Sequence, residues 1–206
     1  MDHEGITGLA RLKRSESQAR TRERLLQAAT DLFRRDGYAI TSLERIAEAA
    51  GFTKGAVYSN FDSKEAIYLE VLSAEALRSL GDLLADLDGA TDAAGVVDVV
   101  AAWAQERSRH GGWSLSVLEL ARTSPPGSPC LERLEEIVRR GWRELGGYLR
   151  QRFPDGPASP ETLGALLFEI AYAPALTLFA SPGAADLVRL VLPAQLAPSL
   201  LNRPVA

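Results

Sequence analysis

Apolar residues recur at helical spacing through most of the chain. Leu25, Ala28, Ala29, Leu32 and Phe33 fall at i, i+3, i+4, i+7 and i+8, one continuous face. This predicts a helix from about Ser17 that ends at Asp36-Gly37, because glycine tolerates the left-handed conformation common at helix ends. A second helix is predicted from Thr41. Thr41-Ser42-Leu43-Glu44 has the form of a capping box, with the threonine hydroxyl accepting from a free backbone N–H and Glu44 reaching back. Leu43, Ile46, Ala47 and Ala50 form its apolar stripe, and Gly51 stops it. A helix of about nine residues is too short to be stable alone, so it must pack on its neighbours. A third short helix is predicted from Thr53, its N-cap, with Val57 and Phe61 turned inward. Asp62-Ser63-Lys64-Glu65 reads as a second capping box opening a long fourth helix to about Leu87.

Further helices are predicted near 92–109, 113–123, 130–152, 160–180 and 184–201. The breaks between them are Gly111-Gly112, the run Ser124–Pro129, Pro154–Pro157 and Ser181-Pro182-Gly183. Pro174, Pro193 and Pro198 fall inside helical stretches and are expected to kink or end them. No alternation of period two appears, so the fold class is all-α. Residues 1–15 lack helical periodicity. The expected organisation is a flexible basic arm over 1–16, a three-helix unit over 17–65 and a larger helical domain over 66–206.

Three short capped helices followed by a long one, with a glycine turn between the second and third, form a helix-turn-helix pattern. The third helix then carries the chemistry. Eight residues from Thr53 to Asn60 make a rod of about 12 Å, which the major groove of B-DNA, about 12 Å wide, admits. With Val57 and Phe61 inward, Thr53, Lys54, Gly55, Ala56, Tyr58, Ser59 and Asn60 are left to read DNA. Lys can reach guanine, Asn can pair with adenine, and Tyr and Ser can bond phosphates. Gly55 permits close backbone approach. Thr41 and Ser42 at the start of the second helix, Lys64 at the start of the fourth, and Arg20 and Arg22 on the first are candidate backbone contacts.

Charge sharpens this reading. The 206-residue chain carries a net charge of −4, unusual for a DNA-binding protein, but the balance is uneven. Residues 1–65 hold eleven Lys/Arg against ten Asp/Glu, and residues 66–206 twelve Arg against seventeen Asp/Glu. A basic arm on an acidic body hints at a nucleic-acid partner. The remaining composition narrows the class. Hydrophobic residues make up 46% and charged residues 24%, ordinary for a globular protein with a sizeable core. Cys130 is the only cysteine, so no internal disulfide is possible and a reducing, cytoplasmic setting is expected. No signal peptide or membrane segment is expected. With His3 and His110 the only histidines, and no phosphate loop, nucleophile elbow or dinucleotide fingerprint, we expect neither an enzyme nor a cofactor.

The run TSLERIAEAAGFTKGAVYSNFDSKEAIYLEVL resembles the DNA-binding region of the TetR family. The matching features are Gly37, Thr41, Ile46-Ala47, Ala50-Gly51, Thr53-Lys54-Gly55, Val57-Tyr58, Phe61 and Lys64-Glu65, and the likeness covers about residues 17–72. Asn60 stands where such proteins often have His. The resemblance implies a homodimer that pairs through about residues 160–201 and a palindromic operator in double-stranded DNA. It also implies repression relieved by a small molecule, although activators share the same residues. In the larger domain, Trp103, Trp113, Leu118, Trp142, Phe168 and Tyr172 are candidates to line a ligand pocket, with Glu119 and Arg122 to orient a polar group. Core packing is the competing reading for each aromatic. A helical carrier or protein-interaction module that keeps the helix-turn-helix as scaffold is the alternative function.

Overall fold

The computed structural model describes residues 3–109, 112–172 and 181–196, with side chains from Glu16 onward. Nine helices and no strand occur among the described residues: α1 His3–Ile40, α2 Leu43–Ala50, α3 Lys54–Tyr58, α4 Lys64–Gly89, α5 Ala93–Arg109, α6 Gly112–Thr123, α7 Pro129–Arg152, α8 Pro160–Tyr172 and α9 Ala184–Leu196. The chain divides into two compact units, 1–71 and 72–206, with α4 running through the boundary. The boundary falls after Val71 rather than Glu65 because the first turns of α4 supply Ile67, Tyr68 and Val71 to the first core.

Within the first unit, Leu25, Ala29, Leu32 and Phe33 of α1 are buried, as their spacing requires. Leu43, Ile46, Ala47 and Ala50 of α2, Val57 of α3 and Phe61 close the core against them. Phe33, Tyr38 and Tyr68 form an aromatic cluster with ring centroids 4.9 to 6.1 Å apart. Helix α1 breaks at Gly37, where φ 80° and ψ 175° leave the helical region. Upstream, helical backbone extends to His3, so the segment expected to be a flexible arm is helical here. Leu, Ala, Arg, Lys, Glu and Gln dominate residues 9–24, and strong helix formers need no apolar period to adopt a helix.

The second unit is built on Leu80, Leu83 and Leu87 of α4, Val96, Val100 and Ala104 of α5, Leu145 and Leu149 of α7, Leu163 and Leu167 of α8, and Val188 and Leu192 of α9. Helices α7 and α8 cross closely: a Cβ added at Gly146 would stand 1.7 Å from the Pro160 carbonyl oxygen, and one at Gly164 2.0 Å from that of Trp142. Two glycines thus bring the backbones into contact. Helix α9 continues through Pro193 to Leu196 instead of ending there. Pro174, Pro198 and the expected helical stretches 173–180 and 197–201 lie outside the described residues.

Candidate nucleic-acid interface and helical-domain cavity

Local capping sets the geometry of α2 and α3. The expected capping box at Thr41 lies one residue later: Ser42 is the N-cap, and its Oγ accepts from the Arg45 N–H at 3.3 Å. Thr41 is buried and donates its hydroxyl to the Gly37 carbonyl at 2.8 Å, which ties the α1–α2 connection rather than offering a phosphate contact. The second box shifts likewise. Ser63 Oγ, not Asp62, accepts from the Ala66 N–H at 3.1 Å. Gly51 ends α2 in the left-handed region (φ 73°), its N–H donating to the Glu48 carbonyl at 3.0 Å, and Arg24 donates to the Ala50 carbonyl at 2.8 Å. Thr53 caps α3, accepting from the Ala56 N–H at 3.4 Å. Helix α3 spans five residues, not the eight expected, because the Asn60 and Phe61 N–H groups both turn back to the Val57 carbonyl.

The outward face of α3 is polar and open. Val57 and Phe61 are 0% and 3% exposed, whereas Tyr58 is 51% exposed. Lys54 lies 5.6 Å from the Tyr58 ring centroid and pairs with Glu44 of α2. The Lys54 ammonium holds the Glu44 carboxyl down to about 2, helped by the Glu44 N–H and the Ser42 hydroxyl. Thr53, Gly55 and Ser59 are exposed and Ala56 half-buried. A Cβ at Gly55 would meet only the Thr53 hydroxyl at 3.8 Å, so the fold itself does not demand glycine there.

Other candidates take internal partners. Asn60 donates to the Ala56 carbonyl at 2.7 Å and so closes the end of α3, while its Oδ1 is buried without a partner. Ser59 donates to the same carbonyl at 3.0 Å. Arg22 grips both carboxylate oxygens of Glu70 and lies 4.7 Å over the Phe61 ring, so it braces α1 against α4 instead of projecting freely. Lys64 sits 4.1 Å over the Tyr38 ring and donates to the Ala39 carbonyl at 3.3 Å. Arg20 is exposed. Sequence reasoning gave Glu44 a capping role only; its charge matters at α3 because the fold brings it to Lys54.

A cavity of about 410 Å³ lies within the second unit, among α4, α5, α6, α7 and α8. Trp103, Phe168 and Tyr172 form one aromatic wall, with centroids 5.5 to 6.4 Å apart. Trp113, Trp142 and Leu118 line it too, but Glu119 and Arg122 do not. Glu119 lies about 100° around α6 from Leu118, and Arg122 is exposed one turn beyond the lining residues. The Trp103 indole N–H donates to the buried Ser79 hydroxyl at 3.4 Å. Gly141 makes room for Phe168, whose ring would stand 2.7 Å from an added Cβ. Arg107 and Ser114 also line the cavity, and no apolar spacing pointed to them.

Helices α1 to α3 thus compose a helix-turn-helix unit, and the second unit is a helical domain with an aromatic cavity. The family model "Bacterial regulatory proteins, tetR family" matches residues 25–71. Over these residues the chain is similar to the DNA-binding region of the TetR family. It is 41% identical over 63 residues to the HTH-type transcriptional regulator AcrR of Shigella flexneri, a match spanning 31% of this chain and 29% of AcrR. The matched region is therefore under a third of that relative's length. Among solved structures, SCO7518 of Streptomyces coelicolor A3(2) superposes with a TM-score of 0.66 at 25% identity, covering 85% of this chain and 98% of that one. FadR of Bacillus subtilis, solved in complex with stearoyl-CoA, shares the fold at a TM-score of 0.61 and 16% identity, over 85% of this chain and 97% of FadR. No helix among the described residues is long and apolar enough to cross a membrane.

Proposed function

We propose that this protein is a sequence-specific DNA-binding transcriptional regulator, a repressor released from its operator by a small molecule. The observation that carries the DNA reading is the α3 face. A half-exposed tyrosine stands beside a lysine over a fully buried Val57, next to a glycine that no internal contact requires. Lys54 on that face is paired with Glu44, while Tyr58 and Gly55 stand open, and the groups of the face suit base edges and phosphates. Thr53, Lys54, Gly55, Tyr58 and Ser59 are its readers, and Arg20 follows the backbone. The second unit binds the effector in its cavity and pairs with a second subunit through about residues 160–201. Two recognition helices then meet successive major grooves of a palindromic site about 34–36 Å apart. An effector that favours another spacing lowers DNA affinity by linkage. Acyl-CoA binding by FadR, a protein of the same fold, supports the ligand-binding role. The protein works in the cytoplasm, where its DNA is.

Selection of duplexes from a random library, followed by fluorescence anisotropy across a salt series, tests this. The expected result is a consensus with two related half-sites, affinity that falls steeply with salt, and at least a ten-fold loss in Tyr58→Ala with unchanged circular dichroism. No enrichment from folded protein, or a Tyr58→Ala variant that binds like wild type, refutes the DNA reading and leaves a helical carrier.

A further inference from the structure

Three polar side-chain atoms around the cavity are buried without a hydrogen-bond partner: Arg107 Nε, Ser114 Oγ and Trp142 Nε1. An indole N–H and a guanidinium N–H can only donate, and a serine hydroxyl can donate as well. A buried donor left unpaired costs free energy, so such groups are normally satisfied, and each exception asks for an explanation. The chemistry they lack is an acceptor. Trp103, Phe168 and Tyr172 meanwhile offer a wall suited to an apolar body. Of the four carboxylates on the lining, three are paired with arginines, Glu75 with Arg78, Glu136 with Arg143 and Glu144 with Arg140, and the fourth, Glu169, is on an exposed residue. Arg107 has no carboxylate partner among the ion pairs of the described residues.

We infer that the effector is an apolar organic acid, its carboxylate held by Arg107 with Ser114 and Trp142 as further donors and its body against the aromatic wall. This inference rests on the reading of the cavity as the effector site. An aromatic wall alone would equally suit a cation. Two groups that can only donate, the Trp142 indole and the Arg107 guanidinium, decide for the anion, because a cation brings no acceptor and is repelled by Arg107.

All three tryptophans of the chain line the cavity, so intrinsic fluorescence reports occupancy directly. The probes are 2-naphthoate, 2-naphthamide and 2-naphthyltrimethylammonium, with decanoate and decyltrimethylammonium repeating the comparison on an aliphatic body. In each series the acid is expected to bind at least ten-fold tighter than the ammonium. Arg107→Met should lose about ten-fold affinity for naphthoate and less than three-fold for naphthamide, with Ser114→Ala weakening both modestly. An ammonium that binds as tightly as its acid, or naphthoate affinity unchanged in Arg107→Met, overturns the acid assignment and leaves the cavity as a ligand site. If neither body binds folded wild-type protein at millimolar concentration in any charge form, the effector-site reading falls with it. Neither readout involves DNA, so each outcome is independent of the DNA-binding claim.

Discussion

The close crossing of α7 and α8 gives a sharp test, because two adjacent glycines should respond in opposite directions to the same change. A Cβ at Gly146 would stand 1.7 Å from the Pro160 carbonyl oxygen, 2.6 Å from its carbon and 3.0 Å from the Gly164 nitrogen. These are backbone atoms and cannot rotate away. Restoring an ordinary contact of 3.4 Å requires the helices to part by about 1.7 Å at this point, which also loosens Leu145, Leu149, Leu163 and Leu167 around it. Overpacking costs typically 1–3 kcal/mol, and a backbone clash belongs at or above the top of that range. Replacing a mid-helix glycine by alanine returns up to about 1 kcal/mol. The net loss for Gly146→Ala is therefore about 2 kcal/mol. At Gly147 nothing lies within 4 Å of an added Cβ, so Gly147→Ala gains up to about 1 kcal/mol. The variants should differ by about 3 kcal/mol, a gap of roughly 1–2 M in urea midpoint if m is near 2 kcal/mol/M. Tryptophan fluorescence is the right probe, because Trp103, Trp113 and Trp142 all belong to the second unit and are blind to the first. Equal stabilisation by both alanines would show that the helices do not meet through Gly146.

The first unit makes three further predictions. Gly55→Leu should leave the thermal melt of the first unit within about 1 kcal/mol of wild type, since the position is open, yet reduce operator affinity at least ten-fold by anisotropy; retained affinity would mean the backbone there does not approach DNA. Glu44, held at about 2 by Lys54 against an ordinary 4.5, should titrate near 2 by NMR in the free protein and return towards 4.5 in Lys54→Gln. Its folded value is depressed, so its pairing favours the folded state above about pH 4.5 and that contribution is lost as pH falls from 4.5 towards 2. Arg22→Met should destabilise the first unit by about 1 kcal/mol, through loss of the part-exposed Glu70 pair and of the Phe61 stacking, while leaving the sequence preference unchanged; a changed consensus would put Arg22 at the DNA instead.

Periodicity made the helices and the inward residues of the first unit legible, because an apolar face of five residues on α1 has one way to be buried. Capping was read one residue early at both α2 and α4. Thr41-Ser42 and Asp62-Ser63 each offer two adjacent capping side chains, and only the backbone geometry decides which one faces the N–H three residues on. The glycines at 141, 146 and 164 gave no signal. None of them stands at a turn, and their role is to leave space for Phe168, Pro160 and Trp142, partners distant in sequence. The aromatics of the second unit were visible as a set, but spacing cannot separate a wall from a core. Arg107 is invisible to any apolar pattern, since its weight comes from a half-buried guanidinium on the cavity lining whose buried Nε has no partner.

The charge count of the first unit also has to be read differently once partners are known. Arg22 is held by Glu70, Arg35 and Arg45 share Asp36, Arg24 caps α2, and Lys64 lies on Tyr38. Much of the basic excess that suggested a phosphate-binding surface is thus structural, and Lys54 reaches the DNA face already paired with Glu44. On the proposed function, Lys54 cannot add a full ion contact on binding. It exchanges a carboxylate for a phosphate or a guanine edge, and Glu44 is left beside the backbone unless a cytosine amino group takes it up. Such an exchange gives little on arbitrary DNA and most on a site whose bases satisfy both groups. The pair therefore trades non-specific affinity for discrimination. Glu44→Gln should accordingly tighten binding to random duplexes more than to the selected operator and steepen the salt dependence by about one phosphate contact.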